Sequence, residues 1–244
     1  MAKLVQKSGY IKSGKASGYM RYIATREGVE KLAGNGSVTK GQRELIQKLL
    51  TDFPDAVELF EYEDYCKTPT LGTASAFISM ALDANLHEID SESGYMQYIA
   101  TRPRAQKRGI HGLFSSATAV DLASAISELE AHEGNVWTII YSLRREDADR
   151  LEYDNADAWR ALLMENAPTL AKSMKISLDN FHWYAAFHDE GHHPHIHMMV
   201  WSDDPKEGFL TKDGIAAMRS KLTNAIFRDE MQQIYERKDV AYSD

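Results

Sequence analysis

The fold is decided by one stretch of the chain, Phe187-His-Asp-Glu-Gly-His-His-Pro-His-Ile-His-Met-Met-Val200. Residues 182–187 and 195–201 are rich in aromatic and apolar side chains, and a polar loop containing a glycine and a proline separates them. This pattern predicts two antiparallel strands joined by a tight loop. Residues 136–143 (VWTIIYSL) have β-branched and aromatic side chains and predict a further strand, so we expect a sheet around the hairpin.

Outside the hairpin, a weak alternation of apolar and polar residues over 3–11 predicts one more short strand. Apolar residues at helical spacing predict helices that interleave with the strands. These helices are expected over 17–31, 42–50, 52–64, 74–86, 120–132, 156–174 and 214–237. The sequence therefore predicts an α+β fold, an antiparallel β-sheet covered by helices. We expect a single domain over 1–244, with a helical insertion at about 40–90.

Five of the nine histidines fall within the ten residues from 188 to 197. Side chains two apart on a strand point to the same face, so His195 and His197 can address one ion. His188 ends the preceding strand, and the loop would bring it back beside them. Three neutral imidazoles on a rigid hairpin predict a catalytic divalent metal site with open coordination positions.

Other sites also use clustered histidines. A polar histidine tract can be a loose surface chelator. A zinc hydrolase of the His-x-His-x-Asp-His kind needs an Asp-His pair that residues 198–200 (MMV) do not supply. A cupin-like site needs more strands than the pattern predicts. The catalytic metal site is favoured; we then expect His192 and His193 to be loop residues or DNA contacts, and Glu190 to orient a ligand imidazole.

The chain contains an internal repeat. Residues 17–26 (SGYMRYIATR) recur as 93–102 (SGYMQYIATR), with nine of ten positions identical. Two equivalent helices packed on one sheet would explain the repeat. Alternatively, at least one copy presents a tyrosine to a functional site, since Tyr19 and Tyr22 lie three apart, near one helix face.

The net charge of −8 conceals an uneven distribution. Residues 1–48 carry +7 and the remainder −15, and residues 102–108 (RPRAQKR) contain four basic residues and no acid. Local charge decides whether a phosphate backbone is attracted, although solvated helix faces would give the same composition. The candidate DNA-binding residues are Arg21, Arg26, Arg102, Arg104, Lys107 and Arg108.

Several classes of protein are disfavoured. Cys66 is the only cysteine, so an internal disulfide is impossible and a cytoplasmic location is expected. No apolar run approaches the roughly 18 residues of a spanning helix, and residues 1–10 lack the apolar stretch of a secretory signal. No Gly-x4-Gly-Lys-Ser/Thr loop indicates an NTPase.

The spacing His188-x6-His195-Ile-His197 resembles motif III of the HUH relaxases, named for His-hydrophobic-His. The similarity extends to residues 191–200 (GHHPHIHMMV) and to an acid two residues after the first histidine, Glu190. It is greatest to the MobA/VirD-type and MobL relaxases of mobilisable and conjugative elements, and covers roughly residues 1–240.

This resemblance implies nicking and rejoining of single-stranded DNA at an origin of transfer, through a 5′-phosphotyrosyl intermediate and with a divalent metal, Mg²⁺ or Mn²⁺. Tyr22 resembles the family's nucleophile because it follows the first strand; Tyr19, Tyr95 and Tyr98 stay open. Accessory relaxosome proteins and a secretion coupling protein are implied partners, and no membrane is expected. The alternatives are a metal-dependent phosphodiesterase that uses water and a non-catalytic DNA-binding mobilisation protein.

Overall fold

The computed structural model describes residues 3–10, 36–85, 96–97, 99–100, 105–106 and 111–228. Within these residues the strands form one antiparallel sheet. In chain order they are β1 (Val5–Tyr10), β2 (Leu113–Phe114), β3 (Trp137–Ser142), β4 (Phe181–His188) and β5 (His195–Ser202). Their order across the sheet is β1-β3-β5-β4-β2, so β5 is the central strand. The predicted α+β class is confirmed.

The α-helices of the described chain pack around this sheet. They are α1 (Lys40–Asp52), α2 (Phe60–Lys67), α3 (Leu71–Ala84), α4 (Leu122–Glu130), α5 (Arg145–Arg150), α6 (Ala156–Ser173) and α7 (Lys212–Ile226). Capping boxes start α1 and α3: the hydroxyls of Thr39 and Thr70 accept the N–H groups of Gln42 and Thr73, whose side chains bond back to the cap. None of these helices is long and apolar enough to cross a membrane.

The central hairpin is buried on both faces. In β5, Ile196, Met198 and Val200 point into a core that also contains residues of α6 and α7. His195, His197 and Met199 alternate with them and therefore project to the opposite face. All eight residues of β5 are buried, which explains why its sequence is a continuous apolar run interrupted by histidines.

Two apolar clusters cover the face that carries the histidines. The first packs α1, α2 and α3 on Val5 of β1 and Ile140 of β3. The second packs α4 and the helical residues Met96, Ile99 and Ala100 on Ala186 of β4 and Met199 of β5. The histidines lie on the strands that these clusters share, because Ile140, His197 and Ala186 occupy one register across the sheet. The site is therefore built under helices rather than at an open edge.

The structure departs from the sequence prediction in a few elements. The helix predicted over 52–64 is broken: a 3₁₀ turn, Pro54–Glu58, is followed by an extended residue, Leu59, before α2 begins. Proline ends α1 because it cannot donate an intrahelical hydrogen bond. Helix α5 and the two-residue strand β2 were not predicted, and a second 3₁₀ turn, Leu178–Asn180, precedes β4. Short elements of this kind carry too few residues to show a periodicity.

Residues 111–114, to which the sequence assigned no role, close one side of the sheet. The Leu113 N–H donates to Nδ1 of His111, and β2 pairs with β4. Gly112 allows a close backbone approach, since a Cβ atom there would lie 3.1 Å from the Gln106 carbonyl oxygen.

Candidate metal centre

Three histidines converge where the β4–β5 hairpin meets its loop. His188 ends β4 and His195 begins β5, and the two are direct cross-strand partners. The centroid of the His197 ring lies 4.6 Å from that of His188 and 5.0 Å from that of His195. All three side chains are buried. One nitrogen from each ring lies within 4.8 Å of those of the other two, so one ion can contact all three.

Backbone carbonyls determine which nitrogen two of these rings can offer. Nε2 of His188 lies 2.9 Å from the Ile99 oxygen, and Nδ1 of His195 lies 3.0 Å from the His193 oxygen. A carbonyl oxygen only accepts, so each of these ring nitrogens carries the hydrogen and donates it. In a neutral imidazole the lone pair then resides on Nδ1 of His188 and on Nε2 of His195.

The donor set fits a divalent transition metal. Neutral imidazoles that donate their other N–H to a backbone carbonyl are the usual form of histidine at metal sites. Three nitrogens from one hairpin would leave further positions of such an ion open to other ligands. Such a metal could therefore be held by Nδ1 of His188, Nε2 of His195 and a ring nitrogen of His197.

A buried carboxyl in the first turn of α2 faces several other acids. Glu61 is buried, and its Oε2 atom has no hydrogen-bond partner among the described residues. Desolvation by burial, with the negative charges of Asp64, Glu190 and Asp83 adding to it, raises the pKa of Glu61 to about 8. Glu61 is therefore mostly protonated at pH 7. No sequence pattern distinguishes Glu61 from the other acids of residues 52–64, because acidic side chains are usually solvent-exposed.

A second set of side chains joins α2 to the loop between β4 and β5, residues 189–194. Nε2 of His193 lies 2.7 Å from a carboxylate oxygen of Asp64, and the His193 ring stacks on Phe60 at 5.3 Å between centroids. Burial opposes ionisation of Asp64, but hydrogen bonds from His193 and Arg144 outweigh it and hold the pKa of the carboxyl below its ordinary value. Burial lowers the pKa of His193, so its imidazole is neutral at pH 7.

The predicted site residues fall into two groups. The three histidines and the loop residue Glu190 are described, and the histidines are brought together as expected. Glu190 is half-buried, and its role in orienting a ligand stays a prediction. The orienting acceptors of His188 and His195 that the structure identifies are backbone carbonyls, which a sequence pattern does not reveal. His193 is a loop residue as expected, but its buried side chain is bonded to Asp64 rather than presented to DNA.

The remaining predicted residues lie outside the described chain. They are the nucleophile candidates Tyr19, Tyr22, Tyr95 and Tyr98 and the basic residues Arg21, Arg26, Arg102, Arg104, Lys107 and Arg108. Part of the second repeat is described, however. Its Ile99 carbonyl accepts the hydrogen bond from His188, and the neighbouring Ala100 carbonyl accepts one from the Gly112 N–H. The second copy of the repeat is therefore tied to the metal centre.

Comparison with known proteins identifies the family. Searches of curated proteins and of solved structures return no match. The family model of the MobL relaxases matches residues 1–243, essentially the whole chain. This match agrees with the antiparallel sheet and with the histidine triad on its central hairpin. The chain belongs to the MobL relaxase family.

Proposed function

We propose that this protein nicks and rejoins one DNA strand at an origin of transfer through a 5′-phosphotyrosyl intermediate. The observation that carries the proposal is the buried triad of His188, His195 and His197 in a chain of the MobL relaxase family. A protein that only binds DNA has no use for three buried imidazoles, whose desolvation must be offset by a ligand or by hydrogen bonds.

The hairpin holds the triad in place before DNA arrives. His188 and His195 are fixed by backbone hydrogen bonds as well as by the strand ladder, and His197 lies inside β5 with no exposed surface. When bound, a divalent metal would polarise the scissile phosphate and neutralise charge that develops there. Three imidazoles favour Mn²⁺ or a later transition ion over Mg²⁺.

The nucleophile we propose is the hydroxyl of Tyr22. Its oxygen attacks phosphorus in line, the bond from phosphorus to the 3′ oxygen breaks, and that oxygen leaves as a 3′-hydroxyl after taking up a proton. The phenol proton is released to solvent or to a nearby base. One phosphodiester replaces another, so the step is close to reversible and needs no ATP to reseal the strand.

The tyrosines on the strands around the triad do not suit this role. Tyr141 on β3 is cross-strand partner of Ile196 and projects to the face opposite the histidines, where burial raises the pKa of its hydroxyl. Tyr184 lies four residues from His188 along β4, about 13 Å away, and donates to Glu128 at 2.8 Å. This supports a nucleophile supplied by one of the two repeats.

We further propose that the bound single-stranded DNA follows the basic residues of the repeats and of 102–108, namely Arg21, Arg26, Arg102, Arg104, Lys107 and Arg108. Described basic residues near the triad are engaged elsewhere: Arg144 pairs with Glu63 and Asp64, and Arg145 with Asp149 and Asp189. Accessory relaxosome proteins, a secretion coupling protein and a cytoplasmic location belong to the same proposal.

The test is incubation with end-labelled single-stranded oligonucleotides from the element's own transfer region, with Mn²⁺ or with EDTA, followed by a denaturing gel. We expect a metal-dependent protein–DNA adduct that survives SDS, together with a fragment bearing a free 3′-hydroxyl. Cleavage without an adduct would indicate a phosphodiesterase that uses water. Binding without either product would indicate a non-catalytic mobilisation protein.

A further inference from the structure

The loop between β4 and β5 is anchored along its backbone. The Arg145 guanidinium donates to the carbonyl oxygens of Glu190 at 2.6 Å and Gly191 at 3.2 Å. The backbone N–H of Arg145 donates to the His192 carbonyl oxygen at 2.9 Å. The Leu143 N–H donates to the Pro194 oxygen at 3.2 Å. Every loop carbonyl from 190 to 192, and that of 194, is therefore tied to the segment after β3.

His193 is the loop residue between these anchors, and it is tied through its side chain. It is 5% exposed, whereas its neighbour His192 is exposed. Its Nε2 donates to Asp64 across 2.7 Å, and its ring lies on Phe60, both of them in α2. The side chain thus joins the loop to a helix that is 129 residues away in the sequence.

The acceptor of this hydrogen bond is itself fixed. Arg144 donates to Asp64 at 3.2 Å and to Glu63 at 3.0 Å, and its guanidinium carbon lies 4.6 Å from the centre of the Phe60 ring. A planar guanidinium held by two carboxylates and an aromatic face has little freedom. Asp64 is consequently a rigid support for the His193 imidazole.

The backbone of the same residue reaches the metal centre. The His193 carbonyl oxygen accepts the hydrogen on Nδ1 of His195 at 3.0 Å. This bond directs Nε2 of His195 toward His188 and His197 and fixes the tautomer that can bind a metal. The Asp64 bond is therefore a side-chain anchor of the same residue whose carbonyl orients the His195 ring.

We propose that His193 is a positioning residue of the metal centre, acting through Asp64 on one side and through its own carbonyl on His195 on the other. The inference rests on the proposed function, because it concerns the metal site of that reaction. It predicts that His193 and Asp64 act as one unit, although neither lies among the candidate ligands.

The test measures Mn²⁺ binding to the full chain by calorimetry and follows Co²⁺ binding by its ligand-field absorption. His193→Phe keeps an aromatic ring for Phe60 but removes the donor, and it should weaken Mn²⁺ binding by about 10–100-fold. His193→Gln restores a donor at the position of Nε2 and should bind close to wild type. Asp64→Ala should weaken Mn²⁺ binding by the same factor as His193→Phe. The double variant should bind Mn²⁺ no more weakly than either single variant.

A matched control lies at the other end of β4. His182 donates to Asp203 at 2.7 Å and stacks on Trp201, so it makes the same two kinds of contact away from the triad. His182→Phe should leave Mn²⁺ affinity and the Co²⁺ spectrum unchanged. Urea unfolding of each variant establishes that the fold is intact; should His193→Phe fail to fold, Asp64→Ala breaks the same link from the other partner.

The outcomes separate this inference from the proposed function. If wild type binds Mn²⁺ and forms the adduct while His193→Phe and Asp64→Ala bind equally well, the positioning role is wrong and the function stands. If wild type forms no adduct, the proposed function is wrong. Nitrogen-15 spectra of histidine-labelled wild type should show His195 protonated at Nδ1, and a proton on Nε2 would overturn the positioning role without any variant.

Discussion

His188 and His195 are paired directly across the β4–β5 ladder, yet they direct different ring nitrogens toward their common centre. Nε2 of His188 is occupied by its hydrogen bond to the Ile99 carbonyl, and Nδ1 of His195 by its bond to the His193 carbonyl. The asymmetry arises because one acceptor comes from the second repeat and the other from the hairpin's own loop. It makes the two positions chemically distinguishable.

Amide substitutions should reveal this asymmetry. An Asn side chain places its oxygen near the position of histidine Nδ1, and a Gln side chain places its oxygen near the position of Nε2. We therefore expect His188→Asn to bind Mn²⁺ more tightly than His188→Gln, and His195→Gln to bind more tightly than His195→Asn. All four should bind more weakly than wild type, because each replaces an imidazole that a backbone carbonyl holds in position.

Calorimetry of the apo protein with Mn²⁺ checks the order of the four affinities. His197→Ala gives the reference for a lost ligand. We expect its Mn²⁺ affinity to fall by more than the roughly 10–100-fold that is typical when a residue supporting a ligand is replaced. The same preference for Asn, or for Gln, at both positions would contradict the assignment of ring nitrogens.

Glu61 should make the apo protein less stable as the pH rises. Its pKa is about 8 in the folded chain, against an ordinary value of 4.5. Below the lower value both states hold the proton. Between the two values the unfolded chain releases it while the folded chain retains it, so the free energy of unfolding falls with pH and levels off above about 8. Glu61→Gln removes this loss and should be the more stable protein at pH 8, by on the order of 2 kcal/mol or more.

Urea unfolding in EDTA at pH 5 and at pH 8 measures this effect. The comparison is Glu58→Gln, three residues earlier in the chain and exposed at the end of the 3₁₀ turn, which should unfold with the pH dependence of wild type. A Glu61→Gln protein whose stability still falls in parallel with wild type would show that Glu61 does not carry the buried proton.

The sequence could predict the hairpin and the triad because both depend on local patterns. Alternation fixes the face of His195 and His197, and a short loop returns His188 to their side. The supports of the triad were not predictable in this way. Ile99 and His193 act through backbone carbonyls, and Asp64 lies 129 residues from its partner. Side-chain identity and spacing carry no signal for contacts of either kind.

The burial of Glu61 could not be predicted from the sequence for a related reason. The acidic run from 52 to 64 predicts a helix but does not indicate which of its acids is buried. The observed α2 starts at Phe60, which packs in one cluster with Leu49 and Phe77. Tertiary packing decides which acid of that run turns inward. Capping boxes at Thr39 and Thr70, in contrast, follow from local sequence and fix where α1 and α3 begin.

The equivalent tyrosines Tyr22 and Tyr98 of the two repeats can be distinguished by one pair of variants. Tyr22→Phe lacks the attacking oxygen, so it should form no covalent adduct while its affinity for single-stranded DNA stays near that of wild type. Tyr98→Phe is a stringent comparison because it removes the same atom from the second copy, whose Ile99 contacts His188. It should retain the adduct. Loss of the adduct in Tyr98→Phe alone, read on the same denaturing gel, would transfer the nucleophile to the second repeat.

Salt dependence should locate the DNA strand. If Arg104, Lys107 and Arg108 contact phosphates, replacing all three by Gln removes about three ion contacts, each worth a slope of about 0.7 in log Kd against log salt for a single strand. We expect the total slope to fall by roughly 2, measured by fluorescence anisotropy at several salt concentrations. Arg219→Gln with Lys221→Gln is the matched control, since both residues are exposed on α7, which packs on the face of the sheet opposite the histidines. A slope that falls in this control and not in the triple variant would place the strand on the wrong face for attack beside the triad, and would contradict the proposed path.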